Sequence, residues 1–275
     1  MRRSAKAVAG LGAAGLAWGL FESQWVELSV HHLPVAGLPL ALDGLTIGHL
    51  SDLHVGAPGL NARALARGVE LIRRAEPDLI VISGDLRARR SGDAPLRASL
   101  AQLDAPLGAF AVLGNHDHAD GHDPFADGAA VEELAGTPVR ILSDEAVSVP
   151  VNGARMLVGG IAPRTFEREP EARGAELVDP AADLRILVCH FPRILDRLRP
   201  GEWQVVLTGH LHGGQLCIPY PGGRIRLAHL SRDYLDGVYV REGTAMHLSR
   251  GLGTTFVPFR FAARPEVTVL HLHAA

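Results

Sequence analysis

The chain has 275 residues, 47% hydrophobic and 21% charged, a globular composition that suits one large domain or two small ones. A formal net charge of -3 gives no polyelectrolyte signature and argues against nucleic acid as the main partner. The two cysteines, Cys189 and Cys217, lie far apart with no C-x-x-C pair, so they define no disulfide framework.

Arg2, Arg3 and Lys6 precede an uncharged run from Ala7 to Phe21, "AVAGLGAAGLAWGLF", closed by Glu22. Basic residues before a short apolar stretch form the pattern of an export signal or signal anchor. The run falls short of the roughly 20 residues that comfortably span a bilayer, and its glycines lower its hydrophobicity. Residues 1–25 are therefore expected to be a membrane-directed segment, with a helix packed on the domain as the alternative. The following domain is expected over residues 40–275.

After residue 40 a theme repeats: an apolar run ends in a polar cluster. "LTIGHL" runs into Ser51-Asp52-Leu53-His54, "PDLIVIS" into Gly84-Asp85, and "GAFAVL" into Gly114-Asn115-His116-Asp117. "LRILVC" runs into His190, and "WQVVLT" into Gly209-His210-Leu211-His212. Short runs apolar on both faces fit strands in the middle of a covered sheet. Between them, Leu65, Val69 and Ile72 share one face of a helix over Asn61–Ala75, with Asn61 as its N-cap. Leu96, Leu100 and Leu103 do the same over 94–104, and "PFADGAAVEELAG" and "PRILDRLRP" are further helix candidates. "AVSVPVNGARMLVGG" carries Asn152-Gly153 between alternating runs, a strong hairpin signal. "GVYVREGTAMHLS" and "PEVTVLHLH" also alternate, which predicts a β-rich C-terminal third forming a second sheet. Alternating strands and helices place the chain in the α/β class.

In open α/β sheets, ligands gather beyond the carboxyl ends of the strands. Five such ends carry Asp52 and His54, Asp85, Asn115 and His116, His190, and His210 and His212. Imidazoles, carboxylates and an amide oxygen are the inventory for divalent cations. A lone Asp at a strand end has two oxygens and can bridge two ions. The glycines beside these residues allow tight turns and close approach.

The ordered set Asp-x-His, Gly-Asp, Gly-Asn-His-Asp, His and Gly-His-x-His, from Asp52 to His212, resembles the calcineurin-like metallophosphoesterase superfamily. The tail "SRGLGTTFVPFRFAARPEVTVL" and the front segment are similar to those of a bacterial, membrane-associated phosphodiesterase branch. The resemblance implies two mixed β-sheets packed as a sandwich flanked by helices, in four α-β-β-α layers. It implies that Asp52, His54, Asp85 and His212 hold one ion and that Asp85 bridges to a second held by Asn115, His190 and His210. His116 would then be the catalytic imidazole, oriented by Asp117. The cofactors would be two divalent ions, Mn, Fe or Zn. Such a pair clamps phosphoryl oxygens and activates a water, while the imidazole protonates the leaving group or stabilises the transition state. The implied activity is hydrolysis of a phosphodiester or pyrophosphate bond, with an amphiphilic substrate such as UDP-2,3-diacylglucosamine and an envelope location. The alternatives are a phosphomonoesterase or nucleotidase, and a metal-free binding module on the same fold.

Ala88 stands three residues after the bridging Asp, where many relatives carry Asp or Asn. Arg87, Arg89 and Arg90 beside it are either a place to hold a second phosphate or a solvated loop. His118 and His122 read as loop residues near the rim. His31, His32, His49, His229, His247, His271 and His273 lack a motif and read as ordinary histidines, and both cysteines read as inert.

Overall fold

Each apolar run that ends in a polar cluster forms a short buried strand. The structure is a computed structural model that describes residues 2–118, 127, 131, 134–228 and 233–275, and their side chains except at 2–9, 11 and 172. In chain order it runs through α1 (Arg2–Glu22), β1 (Glu27–Val35), β2 (Thr46–Leu50), α2 (Asn61–Ala75), β3 (Leu79–Ile82), α3 (Asp93–Leu100), β4 (Ala109–Ala111) and β5 (Val139–Ile141). Then come the hairpin of β6 (Glu145–Val151) and β7 (Ala154–Ile161), followed by α4 (Pro163–Arg168), α5 (Pro170–Glu176), β8 (Leu184–Cys189) and β9 (Val205–Thr208). The small hairpin of β10 (Cys217–Tyr220) and β11 (Gly223–Arg226) precedes β12 (Gly237–Arg241), β13 (Thr244–Leu248) and β14 (Glu266–Ala274).

Among the described residues the strands make two six-stranded mixed sheets, ordered β1-β14-β2-β3-β4-β5 and β12-β13-β9-β8-β7-β6. Their inner faces meet in one apolar layer, in which Ile47 and Val81 of the first sheet face Val158, Ile186 and Leu207 of the second. On the outer face of the first sheet, Leu65, Val69 and Ile72 of α2 pack on Ile80, Ile82 and Val267. Burying each such side chain contributes about 1.5–3 kcal/mol. Trp203 and Leu195 cover the outer face of the second sheet together with Leu157, Leu187 and Val206. The fold is the expected α/β sandwich with helices outside.

Several local expectations change. Asn61 does not cap α2. It is buried, and its amide donates to the His54 and Thr254 carbonyls at 3.0 and 3.1 Å while accepting from the Thr254 amide and hydroxyl. It therefore ties the Asp-x-His loop to the C-terminal segment, a role that outweighs capping. The run 192–200, bounded by Pro192 and Pro200, does not form the expected α-helix; it forms a short 3-10 segment over Pro192–Asp196. The candidate helix over 124–136, His122 and His229 lie largely or wholly outside the described residues, although Val131 and Leu134 join the core beneath the first sheet.

The C-terminal third does not stay together. β13 joins the second sheet beside β9, whereas β14 crosses to the first and inserts between β1 and β2. β1, upstream of residue 40, pairs in parallel with β14 from Glu27 to Val35, so the sheet begins ahead of the expected boundary. No helix among the described residues is long and apolar enough to cross a membrane. The carboxyl end of α1 instead packs on the domain: Gly19 accepts from the Arg260 amide at 3.1 Å, and Glu22 accepts from the Ala263 amide at 2.8 Å.

Candidate metal centre

The strand pairings explain why the distant motifs meet. β2, β3 and β4 run parallel in one sheet, and β8 and β9 run parallel in the other. All five carboxyl ends therefore emerge at the same edge of the sandwich. Cross-strand bonds continue past the strands and hold the loops in step: the Asp52 amide donates to Gly84, and the Gly209 amide donates to His190, at 2.9 and 3.0 Å.

At that edge the chain turns sharply. Asp52, His54, Asp85, His210 and His212 all have positive φ, at 51°, 43°, 54°, 80° and 51°. Non-glycine residues in this region cost of order 1–3 kcal/mol each and persist where the surroundings over-determine them. The turn at Asp52 and again at His54 lets both side chains face the cluster, while Leu53 between them is buried in the core. Gly209 shows why a side chain is excluded next door: a Cβ there would collide with Ser51 Oγ and Asp52 Oδ2. Likewise a Cβ on Gly114 would strike the Asp85 carboxylate.

The side chains converge as two groups that share Asp85. Asp52, His54, Asp85 and His212 each place a donor atom within 4.8 Å of the others, and so do Asp85, His190 and His210. His54 Nε2 and His190 Nε2 lie 3.4 and 3.2 Å from the same oxygen, Asp85 Oδ2. His212 Nε2 lies 3.4 Å from Asp52 Oδ1 and 3.1 Å from His54 Nε2. The Asp85 Oδ1 atom accepts the His116 amide at 2.9 Å, and Asp52 accepts the His210 amide at 3.0 and 3.1 Å. His190 Nδ1 donates to the Ser83 carbonyl at 2.8 Å, which fixes the ring's orientation and turns Nε2 toward Asp85.

Burial and mutual charge set the protonation of the cluster. Burial lowers the His54 pKa to about 3 and holds His212 well below its usual range, so both are neutral lone-pair donors at pH 7. Burial raises Asp52 to about 6. Burial also disfavours charge on Asp85, but the His190 and His54 imidazoles beside it prevail and hold it well below the ordinary carboxylate range. Burial opposes charge on His190 too, yet Asp85 raises it to about 9. The donor set fits divalent ions on chemistry: neutral imidazole nitrogens and carboxylate oxygens with fixed outer hydrogen bonds.

Asn115 and His116 follow β4 in a short turn over Asn115–Asp117. Asn115 Oδ1 is buried and makes no hydrogen bond, which suits a ligand oxygen. The His116 ring stands edge-on to His54, with centroids 4.8 Å apart, and 6.5 Å from the ring of Phe256. Asp117 is buried beneath this turn. Its oxygens accept backbone amides from Leu86, Arg87 and Gly114 at 2.8–3.1 Å, so it clamps the Gly-Asp loop to the Gly-Asn-His-Asp loop. Its effect on His116 passes through the backbone. Burial raises its pKa to about 6.

Arg87 is buried rather than solvated, and its guanidinium pairs with Asp93 at 2.6 Å. Arg89 is half-buried and Arg90 exposed, with the Arg90 amide on Asp127. Ala88 is buried, and its backbone bridges Val55 and Asp127.

Three supports of the site carry no motif of their own. Arg260 is fully buried, and its guanidinium gathers the carbonyls of His212, Arg250, Gly251, Gly253 and Ala263 at 2.5–3.2 Å, 3.4 Å from His212 Nδ1. Behind Asp52, Ser51 Oγ bonds Ser83 Oγ, which bonds His49, and His49 Nδ1 meets His247 Nδ1, each at 2.8 Å. The signal for Arg260 was its position in an otherwise apolar stretch. For His49 and His247 it was a polar residue inside an apolar strand.

The Calcineurin-like phosphoesterase family model matches residues 45–214, which spans every residue of the cluster. An uncharacterized metallophosphoesterase of Bacillus subtilis, YkuE, is 27% identical over 96% of this chain and 92% of its own length. The UDP-2,3-diacylglucosamine pyrophosphatase LpxG of Chlamydia muridarum is 24% identical over 83% of this chain and 84% of its own. A transmembrane protein with metallophosphoesterase domain from Danio rerio is 30% identical over 88% of this chain and 56% of its own.

Proposed function

The chain belongs to the calcineurin-like phosphoesterase family, and we propose that this metal-dependent phosphoric ester hydrolase acts on a phosphodiester or pyrophosphate bond of an amphiphilic substrate. The observation that carries the reading is the Asp85 carboxylate shared by two ligand groups. Asp52, His54, Asp85 and His212 would hold one divalent ion, and Asp85, Asn115, His190 and His210 the other, with Mn, Fe and Zn all compatible with the donors. Such a pair supplies Lewis acidity toward the phosphoryl group and a nucleophilic water at neutral pH.

The chain's own groups do the rest. His116, beside both ligand groups, places an imidazole where the leaving oxygen needs a proton. Asp117 positions it by locking the two loops. Adjoining His210 is a cleft of about 430 Å³ in which Phe166 stacks on Phe191 at 4.5 Å, with Arg168, Arg193 and Arg197 along the wall. Aromatic faces beside cationic side chains suit a substrate with a flat or apolar group next to its phosphates. UDP-2,3-diacylglucosamine has that chemistry, and the LpxG likeness supports it.

The same reading places the enzyme at a lipid surface. Trp18, Phe21 and Trp25 are each about half exposed and pack on one another, tilted or edge-on, with ring centroids 5.6–6.4 Å apart. The segment that α1 packs against also carries exposed Phe256, which faces His116. Aromatic clusters of this kind settle at the headgroup level, and Arg2, Arg3 and Lys6 favour anionic lipid. A side-by-side assay of UDP-2,3-diacylglucosamine, bis-p-nitrophenyl phosphate and p-nitrophenyl phosphate tests the substrate class. The reading expects the first two to be cleaved far faster than the monoester. A preference for the monoester would refute it.

A further inference from the structure

Three exposed or half-exposed imidazoles stand together at the opposite end of the first sheet. β1 and β14 pair in parallel with His32 opposite His271, and His273 follows two residues on, so all three side chains leave the same face. On that face Val267 and Val269 of β14 are buried under the helical layer, and where that cover stops the stripe changes from valine to histidine. β2 locates the cluster: its first residue, Thr46, pairs with His271, whereas Asp52 lies beyond its other end.

We propose that His32, His271 and His273 form a separate cation site, for a divalent d-block ion of the zinc, copper or nickel type. His32 Nδ1 and His273 Nε2 point at each other across 2.8 Å, with ring centroids 5.0 Å apart and planes 20° apart. His271 lies 5.2 Å from His32 and 6.4 Å from His273, tilted by 26° and 6°. The His32 and His273 rings thus meet nitrogen to nitrogen, with the His271 ring stacked beside them. Two imidazole nitrogens about 2.0–2.1 Å from one tetrahedral ion stand roughly 3.3 Å apart, so the pair needs to open by only about half an ångström. The same molecule shows this geometry at its catalytic cluster, where His54 Nε2 and His212 Nε2 meet at 3.1 Å with centroids 4.9 Å apart. A carboxylate behind the ring completes the likeness. Asp43 Oδ1 lies 3.8 Å from His273 Nδ1, the nitrogen turned away from His32, and is held in place by the Ala274 amide at 2.9 Å. Carboxylates in that position orient ligating histidines. Imidazole donors with an open coordination position select d-block ions over calcium or magnesium.

The test is equilibrium dialysis of the full chain, its catalytic ions bound, against micromolar Zn²⁺ at neutral pH. The expected result is one further zinc per chain, absent from H32A/H273A and bound at least about tenfold more weakly by H271A, with phosphodiester turnover unchanged in both. In the unsubstituted chain, Cu²⁺ in that position should show imidazole nitrogen couplings by electron paramagnetic resonance. No further zinc, the same zinc in the double variant, or copper without nitrogen couplings would each overturn the proposal.

Discussion

His190 Nε2 and Asp85 Oδ2 lie 3.2 Å apart, and the Ser83 carbonyl behind the ring, which accepts from Nδ1, turns Nε2 toward the carboxylate. Asp85 receives His54 from the other side at 3.4 Å, which makes it the one carboxylate in contact with both halves of the cluster. Asp85→Asn should therefore remove both ions together. Loss of several kcal/mol of charge stabilisation corresponds to at least about 10³-fold in kcat/KM. Elemental analysis and bis-p-nitrophenyl phosphate turnover check this, and a variant that kept one ion would show that Asp85 is not shared.

His116→Ala should keep its metal and lose about 10²–10⁴-fold in turnover, the usual worth of a positioned acid or base. Asp117→Asn should also lower turnover, because its oxygens order the amides of Leu86, Arg87 and Gly114. Unlike the His116 variant, it should lower the unfolding midpoint. Metal content, turnover and denaturant melts distinguish the two roles.

Gly209→Ala tests the packing argument. The added methyl meets Ser51 Oγ and Asp52 Oδ2, an overpacking that costs about 1–3 kcal/mol. Because the strain falls on a ligand, metal affinity should drop along with stability. Unchanged zinc or manganese affinity would mean that Asp52 does not ligate.

The core histidines predict a pH dependence. Burial keeps His49 well below its usual pKa and lowers His247 to about 4. The unfolded chain takes up protons below about pH 6.5, whereas the folded chain does not. Their contribution is complete above pH 6.5 and declines as the pH falls toward 4. Urea midpoints should follow that course, and the decline should be shallower in His247→Asn. Equal slopes would show that His247 is not held neutral.

Much of the site was legible because each ligand motif ends a strand, and strand ends in a parallel arrangement share an edge. Asp52, Asp85, Asn115, His190 and His210 could be assembled from apolar runs alone. What lay out of reach depended on pairings between the two ends of the chain. β1 carries polar residues at alternate positions and is recognisable as a strand mainly through β14, 237 or more residues later, as in the Ser29–Glu266 bond. β14 looked like a companion of β13 because hairpin patterns are local, but the first sheet needed a strand between β1 and β2. Arg260 was equally hidden, because a single arginine acquires its role only when loops from three segments expose their carbonyls to it. The amides of Leu86, Arg87 and Gly114 that Asp117 accepts were out of reach too, because sequence adjacency to His116 says nothing about which amides its oxygens meet. The amino-terminal run read as membrane-directed, with packing on the domain as the alternative, and the bonds of Gly19 and Glu22 to the Arg260 and Ala263 amides could not be read from its composition.

A dinuclear metal centre in the buried cluster would make phosphate-ester hydrolysis depend on both of its ions. The most direct measurement is the metal content of the full chain read alongside its turnover of bis-p-nitrophenyl phosphate, before chelation, after exhaustive chelation and after return of Mn²⁺. The expected result is two ions per chain at the catalytic edge, loss of turnover as they leave, and recovery as they return. Turnover that survives with the ions gone would contradict it.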